Sequence, residues 1–360
     1  LILEKTVLDG VFLEHLASGR DESRPYKNPN VSHARDDASH KDKDGGMKVL
    51  VTGATGYVGH SVCEALVQAG HSVVGLSRDG QKSKAASGVT LALNPKVEYR
   101  AGDVASGTGL TDAMKGVEAV VHLVGIIAEK GEQTFDRVHV GGTRNVLEAA
   151  KAAGVKRHLQ MSALGAGPQA ASGYSSTKYQ AEQLVQASTL EWTIFRPSLV
   201  FGKGDDFFGR VLKNLVSSGP IVPQIGDGSF PFRPVWVGDV AAAFVQALTT
   251  PATVGKVYDL VGPKEYTFKQ LLDLEMDVLG MKKPMIPVPI FVMDVMVPLM
   301  SLVPSIAPIT KDQYAMLKAG NTADPSPMKA AFTLEWRELE QMLPEVLGKS
   351  APGSSQHANA

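Results

Sequence analysis

A single cysteine, Cys63, stands in 360 residues. That excludes an internal disulfide and fits a reducing, cytoplasmic setting. Its position within the first expected helix reads as a buried structural thiol. The nine histidines are scattered, with no H-E-x-x-H pattern and no Cys/His cluster at ligand spacing, so no metal is expected. Lysine and arginine total 36 against 37 aspartates and glutamates, a net charge of −1. Such a balance gives no electrostatic case for a nucleic-acid partner. Long uninterrupted apolar runs are also missing. Leu1–Gly19 is broken by Glu4, Lys5, Asp9 and Glu14, which excludes a secretory signal. Met285–Pro308 is apolar but holds Asp294 and five prolines, a poor transmembrane helix. It reads better as a helix lining an apolar pocket, with a peripheral membrane or membrane-complex contact as the alternative.

What is present suits a large α/β protein. The hydrophobic fraction of 44% is that of a globular core. Residues 1–46 are polar and densely charged from His33 to Asp44, and are expected to be a disordered extension without a part in the chemistry. Met47 directly precedes the first strand, where a natural start would fit. Residues 47–202 read as a dinucleotide-binding core, 203–348 as a mixed segment with a substrate lobe and returning elements, and 349–360 as a disordered tail.

The core is organised around Met47–His60, MKVLVTGATGYVGH. A short Val-rich strand leads into Gly53-Ala54-Thr55-Gly56-Tyr57-Val58-Gly59 and then into a helix that stops near Gly70. Glycines let the backbone turn sharply and approach a pyrophosphate, and the helix N-terminus offers it free N–H donors. The strand–loop–helix placement is what raises a glycine pattern above chance. Strands follow at His71–Ser77, Lys96–Arg100, Val117–Ile127, Val155–Ala163 and from Thr193. Helices are expected at Asp136–Gly154 and Tyr174–Ala187. This alternation implies a doubly wound parallel sheet of Rossmann type, with a smaller C-terminal lobe. Further on, Asp239 is expected to cap a helix over Val240–Leu248 and Thr267 one over Phe268–Leu279. Val257–Val261 reads as a strand, and helices are expected at Thr310–Ala319 and Leu334–Leu343, the last stopped by Pro344.

Tyr174-Ser175-Ser176-Thr177-Lys178 places a phenol and an ammonium four residues apart on one helix face. A lysine beside a tyrosine favours the phenolate, and such a tyrosine can pass a proton while a hydride moves to or from a nicotinamide. Tyr314–Lys318 repeats the spacing but lies beyond the nucleotide fold and reads as a solvated helix face. Ser162, at the end of the fifth strand, is placed to polarise a substrate carbonyl or to bond its own loop.

These motifs in this order resemble the extended or atypical branch of the short-chain dehydrogenase/reductase superfamily. The likeness runs from Met47 to about Leu347. It rests on TGATGYVG, Gly102-Asp103-Val104, Val124-Gly125, YSSTK and Arg196-Pro197-Ser198. VHVGGTRNVLEAA, MSALGA, FRPSLVFGKGDDFF, FRPVWVGDVAAAF and PITKDQYAMLKAGN are similar to bacterial homologues of the nucleotide-binding accessory subunit of respiratory complex I. The resemblance implies NAD(P) binding by the glycine loop, Asp103, Val104, Val124, Gly125, Lys178, Arg196, Pro197 and Ser198. It implies catalysis by Tyr174, Lys178 and Ser162. One departure is His139 in the stretch where many active members carry Asn, which bears on the proton relay. At the end of the second strand Ser77 and Arg78 suit a 2′-phosphate, Asp79 following, so NADP(H) is favoured over NAD(H).

The expected function is an oxidoreductase on a bulky apolar, quinone- or isoprenoid-like substrate. The alternatives are a non-catalytic accessory protein of a membrane respiratory or quinone-synthesis complex, and a nucleotide-sugar epimerase or dehydratase.

Overall fold

The computed structural model describes residues 45–78, 91–300 and 309–349. The expectations for residues 1–44, for Asp79, for 301–308 and for the tail from 350 lie outside the described residues.

The first half alternates strand and helix: β1 (Lys48–Thr52), α1 (Tyr57–Gln68), β2 (Ser72–Ser77), β3 (Glu98–Ala101), α2 (Leu110–Ala113) and β4 (Ala119–His122). A wide i→i+5 turn over Asp136–Gly141 runs into α3 (Gly142–Ala152), followed by β5 (Arg157–Met161), α4 (Gly173–Gln186) and β6 (Glu191–Pro197). After β7 (Val200–Phe201), a second wide turn over Phe207–Leu212 leads into α5 (Lys213–Ser217). The short strands β8 (Val222–Ile225), β9 (Pro231–Phe232) and β10 (Val235–Trp236) precede α6 (Val237–Thr249), β11 (Lys256–Leu260), β12 (Tyr266–Thr267) and α7 (Phe268–Leu279). The remaining elements are β13 (Met285–Val288), α8 (Ile290–Met300), α9 (Lys311–Ala319), α10 (Ser326–Ala331) and α11 (Leu339–Val346).

Seven parallel strands form one sheet in the order β3-β2-β1-β4-β5-β6-β11. Strand side chains alternate between faces, so β1 feeds two cores. Val49 and Val51 pack with Val62 and Leu66 of α1 and with Val240 and Phe244 of α6. Leu50 packs on the other face with Leu110, Val146 and Ala150. Each such fully buried side chain contributes about 1.5–3 kcal/mol, which is why the sheet's apolar runs fix its register. The strand order reverses between β1 and β4, and in such sheets that point, at the carboxyl ends, is where ligands lie.

A second core holds Phe201, Phe208, Phe232, Phe268, Leu271 and Leu343. These phenylalanines fill the interior of the C-terminal half. Thr267 caps α7 through a reciprocal box: its hydroxyl accepts from the Gln270 N–H, and Gln270 accepts from the Thr267 N–H.

Three expectations change. Asp239 does not cap a helix starting at Val240. Helix α6 begins at Val237, and the Asp239 carboxylate accepts from the backbone N–H groups of Glu335 (2.8 Å), Trp336 (3.3 Å) and Arg337 (3.3 Å). It thereby holds a turn in which Trp336 takes a left-handed φ of 57°. The last helix starts at Leu339 and runs through Pro344, because Leu339, Leu343 and Pro344 itself are buried and their packing outweighs one lost helix bond. Helix α8 is no pocket lining: Val297 is its one buried residue, while Phe291 is 72% exposed and Leu299 60%.

Candidate dinucleotide and substrate site

The glycine loop joins β1 to α1 at the reversal point. Gly53 takes φ +73°, and its N–H bonds the Leu76 carbonyl at the end of β2 (3.1 Å). A Cβ on Gly59 would lie 2.0 Å from the Gly53 oxygen, so only glycine lets the helix start so close to the loop. Gly56 is the N-cap of α1 and has no side-chain oxygen to offer the first N–H groups, which are left for an anion. Thr55 sits within this loop and Val58 packs against the core.

The Tyr57 side chain reaches the loop after β7. Its hydroxyl is buried beside Gly202 and Asp205, on the lobe side, and burial holds its pKa well above the usual phenol value, with Asp205 adding to the rise. Its backbone, not its ring oxygen, belongs to the anion cradle.

The side of the cleft expected to take the adenosine is framed by β2 and β3. The Ser77 hydroxyl is buried without a hydrogen-bond partner among the described residues. Arg78 follows it at the surface, 3.4 Å from the Gln133 side chain. Gly102 bonds the Ser77 carbonyl (2.9 Å), which brings Asp103 and Val104 alongside, and Asp103 accepts from the Ala105 N–H (2.8 Å). Val124 closes against the loop, its Cγ2 lying 3.3 Å from where a Gly53 Cβ would be.

The opposite end is built by β4, β5 and α4. Lys178 is buried, and its Nζ donates to the Met161 carbonyl at the end of β5 (3.1 Å). The same Nζ lies 2.9 Å from the position a Cβ on Gly125 would take, so the lysine and the strand-β4 loop are in contact. Ser162, the next residue after Met161, is buried, and its Oγ has no partner among the described residues. The reading of Ser162 as bonding its own loop therefore has no bond to support it.

Burial lowers the Lys178 pKa to about 8, with Glu182 pulling it back up. Tyr174 is pushed up to about 12 by burial. Lys178 thus does not tune Tyr174 toward phenolate here; desolvation of the phenol dominates. Tyr174 is neutral near pH 7. Its ring packs edge-on against His139 (5.4 Å between centroids) and Phe135 (5.9 Å).

His139 is fully engaged. Its Nε2 accepts from the Ile126 N–H (3.1 Å), and its Nδ1 lies 2.9 Å from the Thr177 Oγ. That hydroxyl lies 2.9 Å from the Gly173 carbonyl and 3.0 Å from that of Tyr174, to which it can donate, so the imidazole carries its proton on Nδ1. Burial, and then Lys178, lower its pKa to about 3. It anchors the loop after β4 to the tyrosine helix, and its one proton is committed to the Thr177 hydroxyl.

Arg196, Pro197 and Ser198 are placed structurally. The Arg196 guanidinium bonds both oxygens of the buried Glu182 (2.8 and 2.6 Å), an ion pair that ties β6 to α4. Pro197 offers its carbonyl to the Leu164 N–H, and the Ser198 hydroxyl donates to the Arg233 carbonyl (2.6 Å). Glu182 was not singled out from sequence, yet it continues the spacing Tyr174, Lys178, Glu182 along one face of α4.

Residues 49–260 match the NAD dependent epimerase/dehydratase family. The chain belongs to that family. Its cleft is accordingly a nicotinamide-dinucleotide site on a short-chain dehydrogenase/reductase-type fold. The "NADH dehydrogenase [ubiquinone] 1 alpha subcomplex subunit 9, mitochondrial" of Arabidopsis thaliana is 30% identical over 255 residues, 69% of this chain and 62% of that protein. The "Ceramide reductase" of Caulobacter vibrioides is 30% identical over 250 residues, 67% of this chain and 73% of that protein. Thus the chain spans only about three fifths of the plant subunit. Among solved structures, the UDP-glucuronic acid 4-epimerase of Bacillus cereus, in complex with UDP-glucuronic acid and NAD, superposes with a TM-score of 0.65. It is 20% identical, over 84% of this chain and 99% of that one, and supports the fold alone.

Proposed function

We propose that the chain is an NADP(H)-preferring oxidoreductase that reduces a carbonyl on a bulky apolar substrate. The observation that carries this reading is the meeting of the buried Lys178 Nζ with Gly125 and with the end of β5, one residue from the unpartnered Ser162 hydroxyl. A built polar pocket of this kind, at the carboxyl ends of the strands, is what a nicotinamide and a carbonyl need. The dinucleotide, when bound, supplies the hydride. Tyr174, held neutral by burial, gives the proton to the substrate oxygen. The Ser162 Oγ–H orients that oxygen, and Lys178 would hold the cofactor ribose while Glu182 favours its charged form. Ser77 and Arg78 are the groups proposed to take a 2′-phosphate. The likeness to a ceramide reductase supports an apolar substrate class.

The test is Tyr174→Phe. Proton transfer by a positioned side chain is typically worth 10²–10⁴-fold, so turnover should fall by about that factor while NADPH affinity stays within about threefold. Full turnover in the variant would remove Tyr174 from the chemistry.

A second reading has an observation of its own. Tyr174 is not drawn toward phenolate and His139 has no free nitrogen, as suits a protein that keeps its dinucleotide as a structural ligand. The likeness to a complex I subunit points the same way. Under that reading Tyr174→Phe restores a deletion strain as well as wild type does. Tightly bound oxidised cofactor in the purified protein, recycled on a nucleotide sugar, would instead mark an epimerase.

A further inference from the structure

Nine large hydrophobic side chains stand exposed among the described residues, and six of them fall between Ile286 and Leu299. Phe291, Val295 and Leu299 line up at i, i+4 and i+8 along α8, each at least 60% exposed. The one charge in the helix, Asp294, stays 47% exposed but is directed at α9 and neutralised there: its carboxylate accepts from the Tyr314 hydroxyl (2.9 Å) and pairs with Lys318 (2.7 Å). The outer ridge is thus wholly apolar. The Tyr314/Lys318 pair, expected to be a solvated face, is the clamp that sets this ridge. No helix among the described residues is long and apolar enough to cross a membrane.

The flanking charges are basic. Lys282 and Lys311 are exposed, and the 27 residues between Lys283 and Lys311 carry a single charge, Asp294. The acidic side chain of α9, Asp312, accepts from the Gly173 N–H (2.7 Å). An isologous dimer through α8 would set one lysine-flanked face against another with no local carboxylate left to pair. An anionic lipid surface complements both features, accepting an apolar ridge and attracting the lysines.

We propose that α8 lies in the surface of a bilayer containing anionic lipids and that the substrate reaches the site from that bilayer. Helix α9 links the two: it grips α8 through Asp294 and the N-terminus of the tyrosine helix through Asp312, next to Tyr174. The proposal rests on the apolar-substrate reading above for its second half, while the membrane contact stands on α8 alone.

The test uses the full chain. Vesicles of phosphatidylcholine with about 30% phosphatidylglycerol should carry the protein on flotation, and pure phosphatidylcholine should carry less. The F291W indole should be quenched by brominated lipids above the wild-type background of three tryptophans. The F291S/L299S double variant should partition at least about tenfold more weakly. Because both side chains are exposed, it should keep an unchanged NADPH-induced shift in Tm. No flotation with anionic vesicles, or an unquenched F291W indole, overturns the proposal. So does a wild-type dimer in sedimentation that F291S/L299S dissociates, since a second copy would then cover the ridge. Turnover of a water-soluble quinone analogue without vesicles separates the two claims. If it persists while flotation fails, only the membrane contact falls; if Tyr174→Phe leaves turnover intact while flotation succeeds, only the catalytic reading falls.

Discussion

At the scale of single residues, the site is governed by which polar groups are spoken for. His139, Arg196 and Ser198 make side-chain bonds within the protein. Ser77 and Ser162 each bury a hydroxyl without a partner, and they lie at opposite ends of the cleft. A buried unpaired hydroxyl costs about 1–3 kcal/mol, so two of them at strand ends in a ligand cleft argue for bonds made on binding. The proposed preference for NADP(H) turns on Arg78, because a guanidinium at the ribose end would pair with a 2′-phosphate and would have nothing comparable to pair with on NAD. Arg78→Ala should weaken NADPH binding about tenfold or more, a charge-assisted bond being worth about 1.5–3 kcal/mol, and leave NADH nearly unchanged. Fluorescence titration of both cofactors reads this directly; equal losses for the two would remove Arg78 from the discrimination.

At the scale of elements, helix α4 shows what was legible in the sequence and what was not. Its span, its tyrosine and its lysine follow from spacing and from its place after the fifth strand. So do the glycine loop, where strand, turn chemistry and helix agree within a few residues, and the capping box at Thr267. Three features depended on distant partners. Glu182 reads as one more surface acid until β6 brings Arg196 against it. Asp239 reads as a cap until residues almost a hundred positions later present three N–H groups. The wide turn at Asp136–Gly141, which aims His139 at Ile126, leaves no periodic trace, since one added residue per turn only shifts the apolar phase. The Glu182–Arg196 pair gives a prediction at this scale. Removing one partner of a buried pair typically costs about 3–5 kcal/mol because the other is left uncompensated. Arg196→Met should lower unfolding free energy by roughly that amount, discounted for the quarter of Arg196 that solvent still screens. NADPH affinity should change by less than about threefold if the arginine only positions α4, whereas a loss as large as that of Arg78→Ala would restore it to the cofactor site.

At the scale of the whole molecule, the second core carries a buried acid that the chemistry does not use. Glu275 on α7 is wholly buried and neither oxygen has a partner among the described residues. Burial, and then the neighbouring Asp205, raise its pKa to about 8, while Lys213 opposes the rise. Asp205 itself is raised to about 6, chiefly by burial, against the three backbone N–H groups it accepts from. The folded state therefore holds a proton on Glu275 that the unfolded chain releases near pH 4.5. A raised folded pKa means stability that is complete below about 4.5 and is lost as pH rises through about 8. The cost at pH 8 is about 3–5 kcal/mol, a large share of a domain's net stability. Buried histidines act in the opposite direction over part of this range, His139 and His158 having pKa values lowered to about 3 and about 4, so the wild-type profile alone mixes the two. The Glu275→Gln variant isolates the acid, since glutamine keeps the shape and cannot ionise. Its stability relative to wild type, from urea unfolding at a series of pH values, should be nearly flat below pH 4.5. Above that it should rise by about 1.4 kcal/mol per unit toward pH 8. A difference that stays constant across this range would mean that Glu275 is ionised in the fold and that Lys213 neutralises it.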